Sequence, residues 1–178
     1  MIVRPAHTAL SLAPTLTTLR LTLRMDDSGY RAAFYASDRA VHEGGPFSRE
    51  AAWRIFASEV GQWPLFGYGP FSVDDRETGD YLGEVGIYQP EGYPEPELGW
   101  FVTEATEGRG IAAEAARAVM HWARQSFGWD HIDNYIGPAN SRSIALAECL
   151  DAVPDPDAAT PDSGDDLVCR HPTPGGRA

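Results

Sequence analysis

Residues 97–127 pass from a short apolar run, through a turn with two glycines, into an alanine-rich stretch without interruption. Glu97, Leu98, Gly99, Trp100, Phe101 and Val102 lie between the turn residues Pro94 and Pro96 and the polar segment 103–107, which predicts a strand. Small and apolar residues then recur at helical spacing from Ala112 through Ala115, Ala116, Val119, Trp122 and Ala123, with Gly128 as a stop, so a helix is predicted over 109–127. The first turn of such a helix carries unpaired amides and a partial positive charge. Gly108 and Gly110 allow close approach to its backbone, and Arg109 adds a full charge. That junction is a cradle for a diphosphate, although glycines also open helices for purely steric reasons. It is not a dinucleotide fingerprint, because Ala113 stands where the third glycine belongs, and it lacks the Gly-Lys-Ser/Thr of a nucleoside-triphosphate loop.

The rest of the chain reads as alternating α and β segments. Leu19, Leu21 and Leu23 alternate with polar residues, which predicts a half-buried strand over 17–24. Asp26, Asp27 and Ser28 offer caps for a helix over 30–36, and Ser48 caps a stronger one running to Val60. Segments 65–73 and 81–88 flank a charged turn and are expected to pair as a hairpin, joined by the strand at Glu97. A further strand is predicted over 131–136, a short helix over 141–150 and a last strand over 167–171. Residues 152–166 read as an exposed acidic loop and residues 1–15 as a loose lead-in. The expectation is one α/β domain across residues 1–178.

With 43% apolar residues the chain can bury a core, and its net charge of −12 argues against a nucleic-acid partner while suiting a cationic one. No apolar run approaches the ~18 residues of a membrane span and no secretory signal is visible, so no membrane partner is expected and the chain reads as cytoplasmic. Cys149 and Cys169 are too few and too far apart for a disulfide framework or metal cluster. Cys149 reads as a core residue. His131 with Asp133 has no second histidine nearby, so a structural role is expected and no metal.

Four stretches in order carry a resemblance: Arg20-Leu21-Thr22-Leu23-Arg24, Glu97-Leu98-Gly99-Trp100, Gly108 through Ala115, and Asn140-Ser141-Arg142-Ser143. Together they resemble the GNAT superfamily of acyl-CoA-dependent N-acetyltransferases, and within it the branch of Rim-type ribosomal-protein N-terminal acetyltransferases. The resemblance covers about residues 17–150. Its diphosphate motif, Gln/Arg-x-x-Gly-x-Gly/Ala, begins here with Glu107. It implies a mixed, mostly antiparallel sheet with splayed middle strands, flanked by helices. It implies acetyl-CoA as cosubstrate, with the diphosphate on the amides of Gly108, Arg109, Gly110, Ile111 and Ala112. The pantetheine arm would lie along Trp100, Phe101 and Val102, contacted from the other side by Asn140 and Ser143. After the asparagine the family pattern continues to a Tyr, the usual proton donor to the leaving thiolate, and then Gly-Phe. By spacing those positions hold Ala147 and Asp151-Ala152, which leaves Ser143 as the candidate donor.

The implied reaction is attack of a neutral amine, from a protein N-terminus or a small molecule, on the thioester. It requires a base, and a carboxylate on the central strands is the simplest one. Glu84, whose flanking Gly83 and Gly86 would leave room for an acceptor, ranks slightly ahead of Glu97. The alternative is a non-catalytic acyl-CoA-binding module that lost the acid group. Loops 41–47, 89–96 and 152–166 would set acceptor choice. Homodimerisation through an edge strand or the C-terminal region is compatible with this architecture.

Overall fold

A computed structural model describes residues 13–25, 29–161 and 164–172. The predicted capping residues Asp26, Asp27 and Ser28, and most of the lead-in, lie outside the described residues. The chain forms β1 (Leu16–Thr17), β2 (Leu21–Met25), α1 (Tyr30–Tyr35), a 3-10 segment (Asp38–Glu43), α2 (Arg49–Phe66), β3 (Pro70–Asp75), β4 (Tyr81–Tyr88) and β5 (Glu97–Val102). A 3-10 turn (Glu104–Thr106), α3 (Ile111–Phe127), β6 (His131–Ile136), α4 (Ser141–Cys149), β7 (Val153–Pro154) and β8 (Leu167–Pro172) follow. Among the described residues these strands make one eight-stranded sheet in the order β1-β2-β3-β4-β5-β6-β8-β7. Every pairing is antiparallel except β5 with β6.

One face of the sheet is closed by α3, whose Ile111, Ala115, Ala116, Val119, Met120 and Ala123 are buried against Leu21, Leu23, Val73, Val85 and Leu98. The alanines keep this helix close to the strands, while Val119 and Met120 fill the space between them. Leu21 and Leu23 are fully buried, as period-two alternation requires.

The other face is covered by α1 and α2, and charge holds them there. Arg31 is buried, with Nε 3.2 Å from Glu84 Oε1 and Nη2 3.3 Å from Glu59 Oε1. Tyr35 donates to Glu59 at 2.5 Å and Tyr88 donates to Glu84 at 2.7 Å. The guanidinium also lies 4.6 Å from the Tyr35 ring centroid and 5.0 Å from that of Phe101. Buried charges are tolerated when they are paired and hydrogen-bonded in this way.

Several boundaries differ from the sequence expectation. The strand expected over 17–24 is broken into β1 and β2, and Leu19 between them is exposed. Ser48 caps α2, accepting from the Ala51 amide at 3.2 Å, but the helix continues past Val60 and through Pro64 to Phe66. Pro64 falls in the last turn, and Gly67, in the left-handed conformation with its amide 3.0 Å from the Trp63 carbonyl, is the stop. The next strand therefore begins at Pro70 rather than at residue 65. Trp63 fastens the junction, donating its indole N–H to the Pro70 carbonyl at 3.0 Å. In the 152–166 segment, Val153 and Pro154 pair with Arg170 and Cys169 as a short edge strand.

The glycines around Glu84 are packed rather than open. A Cβ on Gly83 would come within 2.4 Å of the Phe101 carbonyl oxygen, and one on Gly86 within 2.6 Å of Pro70 Cα. Backbone on β3 and β5 fills the space that sequence reading reserved for an acceptor. Gly83→Ala and Gly86→Ala are each expected to lower the unfolding free energy by about 1–3 kcal/mol through overpacking. Urea denaturation checks this, and stability equal to the parent chain would show that the strands can shift to admit a methyl group.

Candidate active site

The site begins where the sheet stops being a sheet. β5 and β6 share a single registered pair, Glu97 with Asp133. One residue on, Asn134 turns its side-chain amide to the Leu98 carbonyl, and its Oδ1 accepts from Nε2 of the buried His171. The Glu97 carboxylate accepts from the Tyr135 amide at 3.4 Å. Side chains thus replace the ladder bonds that would have kept the two strands together. From Gly99 to Val102 the edge of β5 facing β6 has no ladder partner among the described residues.

The opening is continuous with a cleft of about 640 Å³. Trp100, Phe101 and Val102 form one wall, Asn140 and Ser143 the other, and Gly108, Gly110, Ile111 and Ala112 close the end. Gly108 and Gly110 have φ of 71° and 73°, in the left-handed region that favours glycine. Gly110 is the N-cap of α3 and supplies no side-chain cap, so it leaves the first-turn amides uncapped. Within the gap a second cavity of about 220 Å³ is lined by Glu97, Asn134 and Tyr135, and shares Trp100, Asn140 and Ser143 with the cleft. On the face under α1 and α2 a third, of about 340 Å³, is bordered by Glu97, Tyr35, Glu59, Tyr88 and Tyr93. Trp100 and Glu43 border all three.

Ten of the eleven residues singled out in the sequence for cosubstrate contact or chemistry, leaving Glu84 aside, border this system. Arg109 is the exception: it lines none of these cavities, its amide binds the Thr106 carbonyl at 3.3 Å, and its carbonyl accepts from Arg20 at 3.1 Å. The arginines that do border the cleft are Arg39 and Arg142, with Glu107 between them, and Glu43 lines it as a second carboxylate. Arg39 lies in the 3-10 segment and carries no motif. Arg142 fills a variable position of the Asn-x-x-Ser stretch, where the proximity of the motif was the available signal.

Asn140 is the N-cap of α4, accepting from the Ser143 amide at 3.2 Å. Ser143 Oγ accepts from Trp100 Nε1 at 3.3 Å, which leaves its own proton free to point elsewhere. Ala147 is buried between β6 and β8 residues, with Ile136 and Cys169, and offers no hydroxyl to the cleft. Cys149, expected in the core, is exposed at the end of α4 and borders the cleft. The buried line of α4 runs through Ile144, Ala147 and Leu150, and Cys149 falls off it.

The two glutamates have opposite surroundings. Glu84 is fully buried in the Arg31 ion pair and lines none of the three cavities. Glu97 borders two of them, and burial of its carboxyl, reinforced by the nearby Glu43 carboxylate, pushes its pKa up to about 8. Asp133, beside His131 in sequence, is bound by Arg170 at 3.0 and 3.1 Å. Among the described residues no three His, Cys, Asp or Glu side chains are grouped to hold a metal ion, and no helix is long and apolar enough to cross a membrane.

Residues 19–153 match the family described as Acetyltransferase (GNAT) domain. The structure of an acetyltransferase from Agrobacterium tumefaciens str. C58 is 40% identical, superposes with a TM-score of 0.83, and the match covers 90% of this chain and 95% of that one. A Bordetella pertussis protein assigned to the GnaT family is 28% identical, with a TM-score of 0.73 over 89% of this chain and 99% of that one. RimL, a ribosomal L7/L12 α-N-protein acetyltransferase solved in complex with coenzyme A, shares the fold at 14% identity and a TM-score of 0.64, over 89% of this chain and 96% of its own. The uncharacterized protein YkkB of Bacillus subtilis (strain 168) is 32% identical over 85 residues, 47% of this chain, and the chain spans about half of that relative's length. On the profile match and the Agrobacterium relative together, this chain belongs to the GNAT acetyltransferase family.

Proposed function

We propose that the protein moves the acetyl group of acetyl-CoA to a primary amine, a protein N-terminal α-amine or a small-molecule amine, by direct attack in a ternary complex. The observation that carries this reading is the run of cavities from the α3 N-terminus, through the β5–β6 gap, to Glu97. That run has one end suited to a diphosphate and the other to an amine. The amides of Gly108, Gly110, Ile111 and Ala112 would hold the diphosphate, with the Arg109 amide already bound to the Thr106 carbonyl, and the edge of Trp100, Phe101 and Val102 that lacks a ladder partner would bind the pantetheine arm and polarise the thioester carbonyl. RimL, bound to coenzyme A on the same fold, supports the cosubstrate. A cytoplasmic location and a single acting domain belong to the same reading.

Glu97 is the general base in this scheme. An incoming α-ammonium has a pKa near ~8 and a lysine-type ammonium near ~10, and proton transfer is most effective when base and acid are matched. A carboxylate at about 8 is matched where an ordinary one is not. Glu84, held by Arg31, is assigned the orientation of α1 instead. Ser143, oriented by Trp100 at the junction of cleft and gap, donates to the leaving thiolate.

A base works only when deprotonated, so kcat/KM should rise with pH up to about 8 and level off above it. Glu97→Gln should remove that limb and lower kcat by about 10²–10⁴-fold. A pH–rate series on both proteins checks this, and an unchanged limb in the variant would move the base elsewhere.

Ser143→Ala should lower kcat while leaving the Kd for CoA within about twofold, since only the leaving-group step loses its donor. Single-turnover kinetics combined with calorimetry separate the two effects. An equal loss in binding would make Ser143 a contact rather than an acid.

The overall assignment is tested by titration with acetyl-CoA, followed by thiol release against small amines and peptides with Ala, Ser or Thr N-termini. Binding with release names the acceptor class. Ala147 supports the second reading, and binding without release for any acceptor would favour a non-catalytic acyl-CoA-binding module.

A further inference from the structure

The cleft is crossed by one carboxylate holding two arginines from opposite walls. Arg39 Nη2 is 2.6 Å from Glu107 Oε1, and Arg142 Nη1 is 2.9 Å from Glu107 Oε2. Arg39 comes from the 3-10 segment under α1, Arg142 from the first turn of α4, and Glu107 from the turn that leads into Gly108 and Gly110. All three border the same cleft as the α3 amides. Arg39 Nη2 also donates to the Val102 carbonyl at 2.9 Å, so it engages the edge of β5 as well.

Two features make this arrangement more than a surface ion pair. A carboxylate is a poor neighbour for a diphosphate, yet Glu107 stands immediately before the turn whose amides face the cleft. Its partners are guanidiniums, the side chains best shaped to take a phosphate in its place. The pairs are also weak enough to exchange. Arg142 is 81% exposed and Arg39 39%, and solvent-exposed ion pairs contribute little to stability.

We propose that Glu107 is a stand-in for phosphate: Arg39 and Arg142 are the cations that bind the diphosphate of coenzyme A, and ligand entry exchanges the Glu107 carboxylate for it. This rests on the acyl-CoA reading above. The exchange is non-covalent and moves only charge partners. In it Arg39 leaves the Val102 carbonyl, which frees a backbone acceptor on the unpaired edge of β5 as the phosphate is captured. One binding event therefore readies both the phosphate end and the arm end of the cleft.

The test is calorimetric titration of the full chain and of Arg39→Gln, Arg142→Gln and Glu107→Gln with coenzyme A and with dephospho-coenzyme A, which keeps the diphosphate but lacks the 3′-phosphate. Each arginine variant is expected to raise the Kd for both ligands by about 5–20-fold, the loss of one charge-assisted phosphate contact. Glu107→Gln is expected to lower both by about 2–10-fold, because a competitor has gone. The gain should shrink at high ionic strength. Glu107→Gln weakening binding as much as the arginine variants would overturn the exchange and make Glu107 a positioning group. Arginine variants that bind as the parent does would overturn it too, and a loss seen with coenzyme A but not with dephospho-coenzyme A would overturn the assignment to the diphosphate. If the unaltered chain binds neither ligand, the acyl-CoA reading itself fails, a result distinct from binding that the three substitutions leave unmoved.

Discussion

The divergence of β5 and β6 after one shared pair is the constraint on which the rest depends. Parallel neighbours in a sheet normally bond along their length, and an unbonded edge inside a protein is costly unless other groups satisfy it. Here Asn134, Glu97 and Arg39 do so with side chains, at Leu98, Tyr135 and Val102 in turn. The gap is therefore held open by specific hydrogen bonds. α4 sits across it because Asn140 starts that helix where β6 ends, which brings Ser143 opposite Trp100. Three polar contacts thus leave an opening between the middle strands of the sheet.

Two glutamates on one face of adjacent strands show how surroundings decide a role. Glu84 and Glu97 are the same chemical group, and both belong to the side of the sheet covered by α1 and α2. Glu84 has a guanidinium at 3.2 Å and a tyrosine hydroxyl at 2.7 Å, and is sealed. Glu97 is bonded by one backbone amide and faces the Glu43 carboxylate, which raises the cost of its charge. The first group is fixed in place by its partners; the second has its pKa pushed up to about 8.

Much of this was legible in the sequence, for reasons that can be named. The α3 segment announced itself because a helix packed on a sheet needs a stripe of small and apolar residues at 3.6-residue spacing, and Ala115, Ala116, Val119 and Ala123 provide it. The glycine turn was readable because left-handed backbone restricts residue type, whereas Asn140, read as a cosubstrate contact, also proves to cap α4. The end of α2 was placed too early, at Val60, whereas the left-handed Gly67 sets the true end. The choice between Glu84 and Glu97 was not readable, since it depends on Arg31 arriving from a helix more than fifty residues away in sequence. Arg39 was invisible for a similar reason: a lone arginine acquires meaning only when the fold brings it to Glu107.

α1 has little helical strength of its own. It spans six residues, starts at a glycine with no side-chain cap and has no acidic residue in its first turn. Arg31 gives it an address, joining it to α2 through Glu59 and to β4 through Glu84. Ionic and hydrogen-bonding contacts are directional in a way that oily packing is not, so the segment has one seating and little freedom to slide. Phe34, three residues on, stacks on Phe101 at 4.2 Å and forms part of the cleft wall, as does Arg39 beyond it. A short, intrinsically unstable helix thus becomes a seated wall, its place beside the cleft fixed by a buried ion pair rather than by its own helical strength.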